Sequence, residues 1–258
     1  YLVQKKLSLL GDGLGHVAIA GVGLAVMTGT APLPLAIVVC IAGAVAVELL
    51  RQFGKATGDV GLAILFYGGL AAGVLMAGVA GQGAAALSQY LFGSLTTVST
   101  EDVWWVGILS LIVLVATVGL TPQLFAVSTD EEYAKVLGLK TRFYNLLVVI
   151  LAAITVSVAM RTVGLLLVSA LMVVPVASAS NLVRGFTAAL FAAMALGVLT
   201  AVGGTVGSFY LDPPPGALIG MLAIAVFVLS WPVSALRSRR QQIRDNDSRP
   251  TDVVGGKP

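Results

Sequence analysis

Two side chains stand out as able to do chemistry: the carboxylate of Asp12 and the imidazole of His16, the one histidine in the sequence. They lie in Gly11-Asp12-Gly13-Leu14-Gly15-His16, at the mouth of a long run of Ala, Val, Leu, Ile and Gly. Ionisable groups are costly to place in hydrocarbon, and those found there usually face an interior path. Residues four apart share one face of a helix, so the pair points at one spot, as two ligands for a cation would. One imidazole nitrogen and one carboxylate suit Zn²⁺, Mn²⁺ or Fe²⁺, whereas a Cu⁺ path would require a Cys or Met cluster. Two ligands form an incomplete shell, which water, backbone carbonyls or a second chain could fill. Transport favours such a shell, because an ion must be held firmly enough to enter and loosely enough to leave. A blander assignment stands beside this one: Asp12 as the N-cap of its helix and His16 as a satisfied core residue.

The surrounding chain is greasy. Of its 258 residues 58% are hydrophobic and only 10% charged, with a mean hydropathy of +0.99. A soluble domain carries about a quarter of its residues charged, so the composition indicates an integral membrane protein. The 30 glycines fit, since small residues let membrane helices approach closely. Gly69-x-x-x-Gly73 and Gly203-x-x-x-Gly207 have the relevant spacing. The single cysteine, Cys40, excludes an internal disulfide and a thiolate metal cluster within one chain.

A spanning helix needs about 20 apolar residues. The expected fold is all-α: a polytopic transmembrane bundle of about eight spans, at 14–29, 33–50, 60–80, 103–120, 143–160, 163–180, 185–203 and 217–236. A weaker run at 84–98 carries Ser88, Gln89 and Gly93 and reads as a re-entrant or interfacial helix. Residues 1–236 form the membrane domain, and the polar stretch 237–258 reads as a disordered tail. The opening Tyr1-Leu2-Val3-Gln4-Lys5-Lys6 resembles the end of a helix, so a further span is expected before it.

Charges between spans set the expected orientation. With Lys5 and Lys6 inside, Arg51, Lys55, Lys135, Lys140, Arg142, Arg184 and the arginines at 237, 239, 240 and 244 also fall inside, so the C-terminus is cytoplasmic. Glu101, Asp102 and Asp212 fall outside. Arg161 is the exception, unless 163–180, interrupted by Pro175, is a half-span and Arg161 is buried. Glu48 and Arg51 have the spacing of an interfacial ion pair, and Asp59 that of a helix cap. Met160, Met172 and Met194 read as packing, and Trp104, Trp105 and Trp231 as interfacial anchors. No loop is long enough for a soluble catalytic domain, and no Gly-x-x-x-x-Gly-Lys-Ser/Thr loop occurs, so any ATP use belongs to a partner. Nothing points to nucleic acid.

The loop between the fourth and fifth spans contains Ser128 and Thr129, each with a glutamate three residues on, at Glu131 and Glu132. That is capping-box spacing, and Gly138 sits where a C-cap glycine belongs. A short helix outside the membrane, about residues 129–137, is expected. Tyr133, Val136 and Leu137 give it an apolar edge with charges around it, and Glu131, Glu132, Tyr133, Ala134, Val136, Leu137 and Gly138 are its candidate docking residues. The segment is either a solvated linker or a docking helix for another protein.

Four stretches together resemble the permease subunits of bacterial ABC importers for zinc and manganese. Ser8-Leu9-Leu10-Gly11-Asp12-Gly13-Leu14-Gly15-His16 is similar to that family's Gly-Asp-x-Leu-x-His signature. Phe92-Gly93-Ser94-Leu95 resembles its Phe-Gly-Ser element, 132–139 its coupling segment, and 163–175 its Val-Gly-x-Leu-Leu…Pro stretch. The match in order and spacing runs from residue 7 to about residue 231. The resemblance implies a homodimer of two permease chains forming the path, two cytoplasmic ATP-binding subunits docked on the coupling helix, and an extracytoplasmic metal-binding protein. It also implies a bacterial cell membrane, no resident cofactor, no enzymatic chemistry on this chain, and Asp12 and His16 lining the route of a transiently bound Zn²⁺ or Mn²⁺. Gly13 and Gly15 stand where Ala and Ser are common in the family. Two other readings stay open at this level: a secondary transporter driven by an ion gradient, and an ABC permease for a metal chelate or vitamin.

Overall fold

Hydropathy decides the architecture, because a backbone in hydrocarbon must satisfy its own hydrogen bonds. The structure, a computed structural model, describes residues 1–5, 7–52, 58–81, 83–93 and 98–247, with only the backbone described for 58–59, 83–86, 166 and 233–247. Among these residues there is no strand. The helices are α1 (Leu10–Thr28), α2 (Pro32–Gln52), α3 (Gly58–Ala63), a π turn (Ile64–Gly68), α4 (Gly69–Val79), α5 (Gly83–Phe92) and α6 (Thr100–Gly119). They continue as α7 (Thr121–Thr129), α8 (Glu131–Val136), α9 (Thr141–Val163), α10 (Leu165–Leu182), α11 (Phe186–Leu211) and α12 (Pro215–Asp247). Seven are long and apolar enough to cross a membrane, with α3, the π turn and α4 forming one of them, and α10 adds a shorter apolar helix. The expected eight are thus met, one of them short. The π turn itself is not announced by any pattern in Ile64-Leu65-Phe66-Tyr67-Gly68.

The spans are not equivalent. Of α1's most apolar window 78% is buried, against 6% for α6 and α11. So α1 is the central helix, and α6 and α11 leave most of their surface outside the packing of this chain. Glycine makes the central position attainable. A Cβ on Gly69 would lie 2.6 Å from the His16 carbonyl carbon and the Val17 nitrogen, and one on Gly73 2.6 Å from Ile19 Cγ2. The Gly69/Gly73 pair therefore seats α4 backbone to backbone on α1. In α11 the tight approach to α12 falls on Gly204 and Gly207, whereas Gly203 makes ordinary contact.

Helix α1 begins at Leu10, four residues before the expected start. The glycines there admit neighbours: Met172 against Gly11, Leu65 against Gly13 and Leu165 against Gly15. Helix α5 has 10 residues, about 15 Å at the helical rise, too short to span. It still buries Leu87 and Tyr90 in the core, as a re-entrant helix would. Gly93 ends it at φ +72°, and its Cα packs directly on Gly164, itself at φ +90° between α9 and α10. Ser94 and Leu95 lie outside the described residues.

The span expected at 163–180 is present as α10, which continues through Pro175. One boundary differs. Helix α12 continues to Asp247, beyond the expected boundary at 236. Arg, Gln and Ile after Ser238 are compatible with helix, and no proline intervenes before Pro250.

Charged groups segregate to the two ends. At one end Glu48, 2% exposed, holds Arg51 through both oxygens, at 2.9 and 3.0 Å, and also accepts from Gln52 at 3.0 Å. At the other, Arg161 of α9 meets Asp102 of α6 at 2.6 Å and donates to the Tyr90 hydroxyl of α5 at 3.3 Å. Arg161 is thus a paired charge that fastens three helices. Asp102 also forms a capping box with Ser99, which starts α6.

Candidate functional site

Asp12 is the third residue of α1, whose N-cap is Leu9 without any side-chain cap. The carboxylate therefore does not cap its own helix. Its charge suits the positive end of the helix dipole, and the side chain is half-buried. Its Oδ1 accepts a hydrogen bond from Ser169 Oγ of α10 at 2.8 Å.

One turn deeper, His16 is 8% exposed, and its buried Nδ1 has no hydrogen-bond partner within the protein. A buried polar atom without a partner costs about 1–3 kcal/mol, so Nδ1 is a position that a water or an ion would satisfy. The ring of Phe66 meets it edge to face, with centroids 4.0 Å apart and planes at 62°. Phe66 stands on the π turn, and such turns recur at functional sites. The flanking contacts fix its position. Leu65 Cβ lies 3.3 Å from where a Gly13 Cβ would be, and Gly69 sits on the His16 backbone.

Among the described residues, Asp12 and His16 are the acidic and imidazole donors at this place. Among the described residues no group of three or more His, Cys, Asp or Glu side chains could hold a metal. Met172 packs its sulfur over Gly11, and Met160 is 1% exposed in the core, in keeping with packing roles. The groove of about 480 Å³ between α6, α9 and α11 is apolar and includes neither Asp12 nor His16. The side chain of Asp59 and all of Lys55 lie outside the described residues. Trp104, Trp105 and Trp231 are all exposed, as interfacial anchors would be.

The loop segment folds as two helices. Helix α7 ends at Thr129, and the cap of α8 is Asp130, whose Oδ1 accepts from the Tyr133 amide at 3.0 Å. The expected Ser128 and Thr129 caps are displaced because both belong to α7. The glycine stop holds: Gly138 has φ +79°, its amide donates to the Lys135 carbonyl at 2.9 Å, and Leu139's donates to that of Ala134 at 3.1 Å. These are the paired bonds of a Schellman motif.

The seven residues of the segment do not share one face. Val136 is 84% exposed, with Glu132, Tyr133, Leu137 and Gly138 also exposed. Ala134 is fully buried against the bundle. Glu131 turns inward to accept from Asn145 Nδ2 of α9 at 3.2 Å, and Asn145 Oδ1 accepts from Lys5 ahead of α1. Burial lowers the Lys5 pKa from its ordinary value, with Glu131 opposing. A hydrogen bond to Glu132 raises that of Lys135. So α8 is tied through Asn145 to the segment that leads into α1. Sequence reasoning missed Ser169, Phe66 and Asn145. Only tertiary packing makes them neighbours of the marked residues, although Ser169 lies inside the quoted stretch 163–175.

Comparison with known proteins settles the family. The profile described as ABC 3 transport family matches residues 1–234. This chain belongs to the ABC 3 transport family. It is 34% identical over 232 residues to a "Probable metal transport system membrane protein" of Treponema pallidum, covering 89% of this chain and 86% of that one. It is 27% identical to "High-affinity zinc uptake system membrane protein ZnuB" of Haemophilus influenzae, over 89% of this chain and 88% of that one. It is 28% identical to "Manganese transport system membrane protein MntC" of Halalkalibacterium halodurans, over 90% and 79%. In structure it is similar to a chain of "PsaBC from Streptococcus pneumoniae in complex with Fab", with TM-score 0.79 and 25% identity over 89% of this chain and 83% of that one. The resemblance to the zinc/manganese-type ABC permeases therefore holds. The chain is a multi-span membrane component of a bacterial ABC transport system, a transport subunit rather than an enzyme.

Proposed function

We propose that this chain forms the translocation path of an ATP-driven importer of divalent transition metal ions, with Asp12 and His16 touching the ion. The observation that carries the reading is the buried, unpartnered Nδ1 of His16, one helical turn from a half-buried carboxylate. A neutral imidazole and a carboxylate make a borderline donor pair for Zn²⁺, Mn²⁺ or Fe²⁺. Relatives named for zinc, manganese and iron transport support the same range. The remaining coordination positions fall to water, to backbone carbonyls or to the second permease chain of a homodimer.

Energy comes from outside the chain. Two cytoplasmic ATP-binding subunits dock on α8 through Tyr133, Val136 and Leu137, with Glu132 and Gly138 beside them. Ala134 and Glu131 hold α8 to the bundle. An extracytoplasmic metal-binding protein delivers the ion at the end carrying Asp102 and Arg161, and the C-terminus is cytoplasmic. ATP-driven closure of the partners moves α8, and the bundle alternates between outward-open and inward-open states, as population-shift switching requires a partner that favours one state.

Growth that depends on scarce zinc or manganese tests the reading. Asp12→Ala and His16→Ala each abolish that growth while the protein still reaches the membrane at wild-type amounts. Full uptake by either variant removes the site assignment.

A further inference from the structure

We infer that Phe66 screens His16 and sets which cations reach it; this inference rests on the metal-path reading above. The phenyl ring lies against the imidazole at a centroid distance of 4.0 Å, closer than the roughly 4.5–7 Å usual for aromatic pairs and leaving no space for a water between the rings. The placement is built. Leu65, 6% exposed, closes on Gly13, Gly69 closes on the His16 backbone, and Phe66 lies between those two contacts on the π turn. Tyr67 stacks edge to face on the outer side of Phe66, centroids 5.2 Å apart, and is itself 70% exposed. The chain thus presents an aromatic cover from one turn of helix to the single imidazole of the protein.

The chemistry that such a cover selects follows from ion hydration. Mg²⁺ sheds its waters reluctantly, and Ca²⁺ asks for 6–8 oxygen ligands. A phenyl-lined place with one carboxylate and one imidazole offers neither. A first-row transition metal loses less there, since it binds imidazole more strongly than Mg²⁺ or Ca²⁺ does, Mn²⁺ least and Fe²⁺ and Zn²⁺ more. Truncating the ring lets water in beside Asp12 and His16, and a hydrated hard cation then competes.

The test uses the detergent-solubilised full-length permease and Mn²⁺ as probe, read as loss of the aqueous Mn²⁺ electron paramagnetic resonance signal, with Ca²⁺ or Mg²⁺ added as competitor. Phe66→Ala lowers the Ca²⁺ and Mg²⁺ concentrations that displace half the Mn²⁺ by at least about tenfold. Phe66→Leu keeps the wild-type values because an apolar cover remains. Phe66→Val carries the same test with a smaller truncation if the alanine variant does not fold. Unchanged competition in Phe66→Ala or Phe66→Val, with Mn²⁺ binding still lost in Asp12→Ala and His16→Ala, overturns the screening role and leaves the site standing. Wild-type Mn²⁺ binding in Asp12→Ala and His16→Ala, or no binding by the unmutated protein, overturns the site and the screen together.

Discussion

Ser169 donates a hydrogen bond to Asp12 at 2.8 Å across 157 positions of sequence, joining the second turn of the short helix α10 to the first turn of the central helix α1. The bond leaves the carboxylate's second oxygen out of that pairing and holds its plane. A hydrogen bond to a charged group is worth about 1.5–3 kcal/mol. Ser169→Ala therefore raises the metal concentration for half-maximal uptake by about tenfold or more, a free-energy loss at the lower end of that range. Ser169→Thr, which keeps the hydroxyl, stays near wild type. Uptake titrations at matched membrane levels check this; equal half-saturation for the alanine variant would mean that Asp12 does not need the bond.

The seating of α4 on α1 gives a sharper structural prediction. A Cβ at Gly69 meets His16 and Val17 backbone atoms at 2.6 Å, which cannot yield as a flexible side chain would, whereas Gly78 has nothing within 4 Å. Overpacking costs about 1–3 kcal/mol and more against backbone. Gly69→Ala lowers the amount of folded permease and its detergent melting temperature, and Gly78→Ala leaves both unchanged or slightly raised. Size-exclusion profiles and thermal unfolding of the two variants decide it.

Between α9 and α6, Arg161 and Asp102 stand or fall together. Their side chains are 19% and 13% exposed, so removing one partner leaves a charge poorly solvated, at a cost of about 1–3 kcal/mol once partial exposure is allowed for. Asp102→Asn lowers the melting temperature, and adding Arg161→Met restores a good part of the loss, since the double variant carries no stranded charge. A double-mutant cycle by thermal unfolding measures the coupling; additive losses would show that the pair is not a unit.

Helix α8 separates docking from folding. Val136 is 84% exposed and Ala134 is fully buried two residues earlier. Val136→Glu leaves the permease folded and reduces co-purification of the ATP-binding subunit. Ala134→Glu instead reduces folded permease itself. Pull-down with the tagged ATP-binding subunit distinguishes them.

Much of this was legible before any coordinates. Hydropathy alone placed the spans, because bilayer thickness fixes their length. Asp12 and His16 stood out because ionisable residues are rare in this chain. Gly138 announced the end of α8, since a left-handed stop favours glycine. Other features were hidden for physical reasons. The glycines of Gly11-Asp12-Gly13-Leu14-Gly15 lowered the apparent helicity of the very turn that packs tightest. Asp130 took the cap because α7 extends through Ser128 and Thr129, and local spacing could not rank three adjacent capping residues. Arg161 looked misplaced in a charge count that ignores pairing with Asp102. Ser169 and Phe66 reach the site through tertiary packing and a π turn, neither of which leaves a periodic trace.

X-ray absorption of Mn²⁺ or Zn²⁺ loaded into the purified permease addresses the metal's surroundings directly. Imidazole scattering should appear in the wild-type spectrum, vanish in His16→Ala, and persist with a weakened oxygen shell in Asp12→Ala. A spectrum without imidazole, or one that His16→Ala leaves untouched, would place the ion elsewhere.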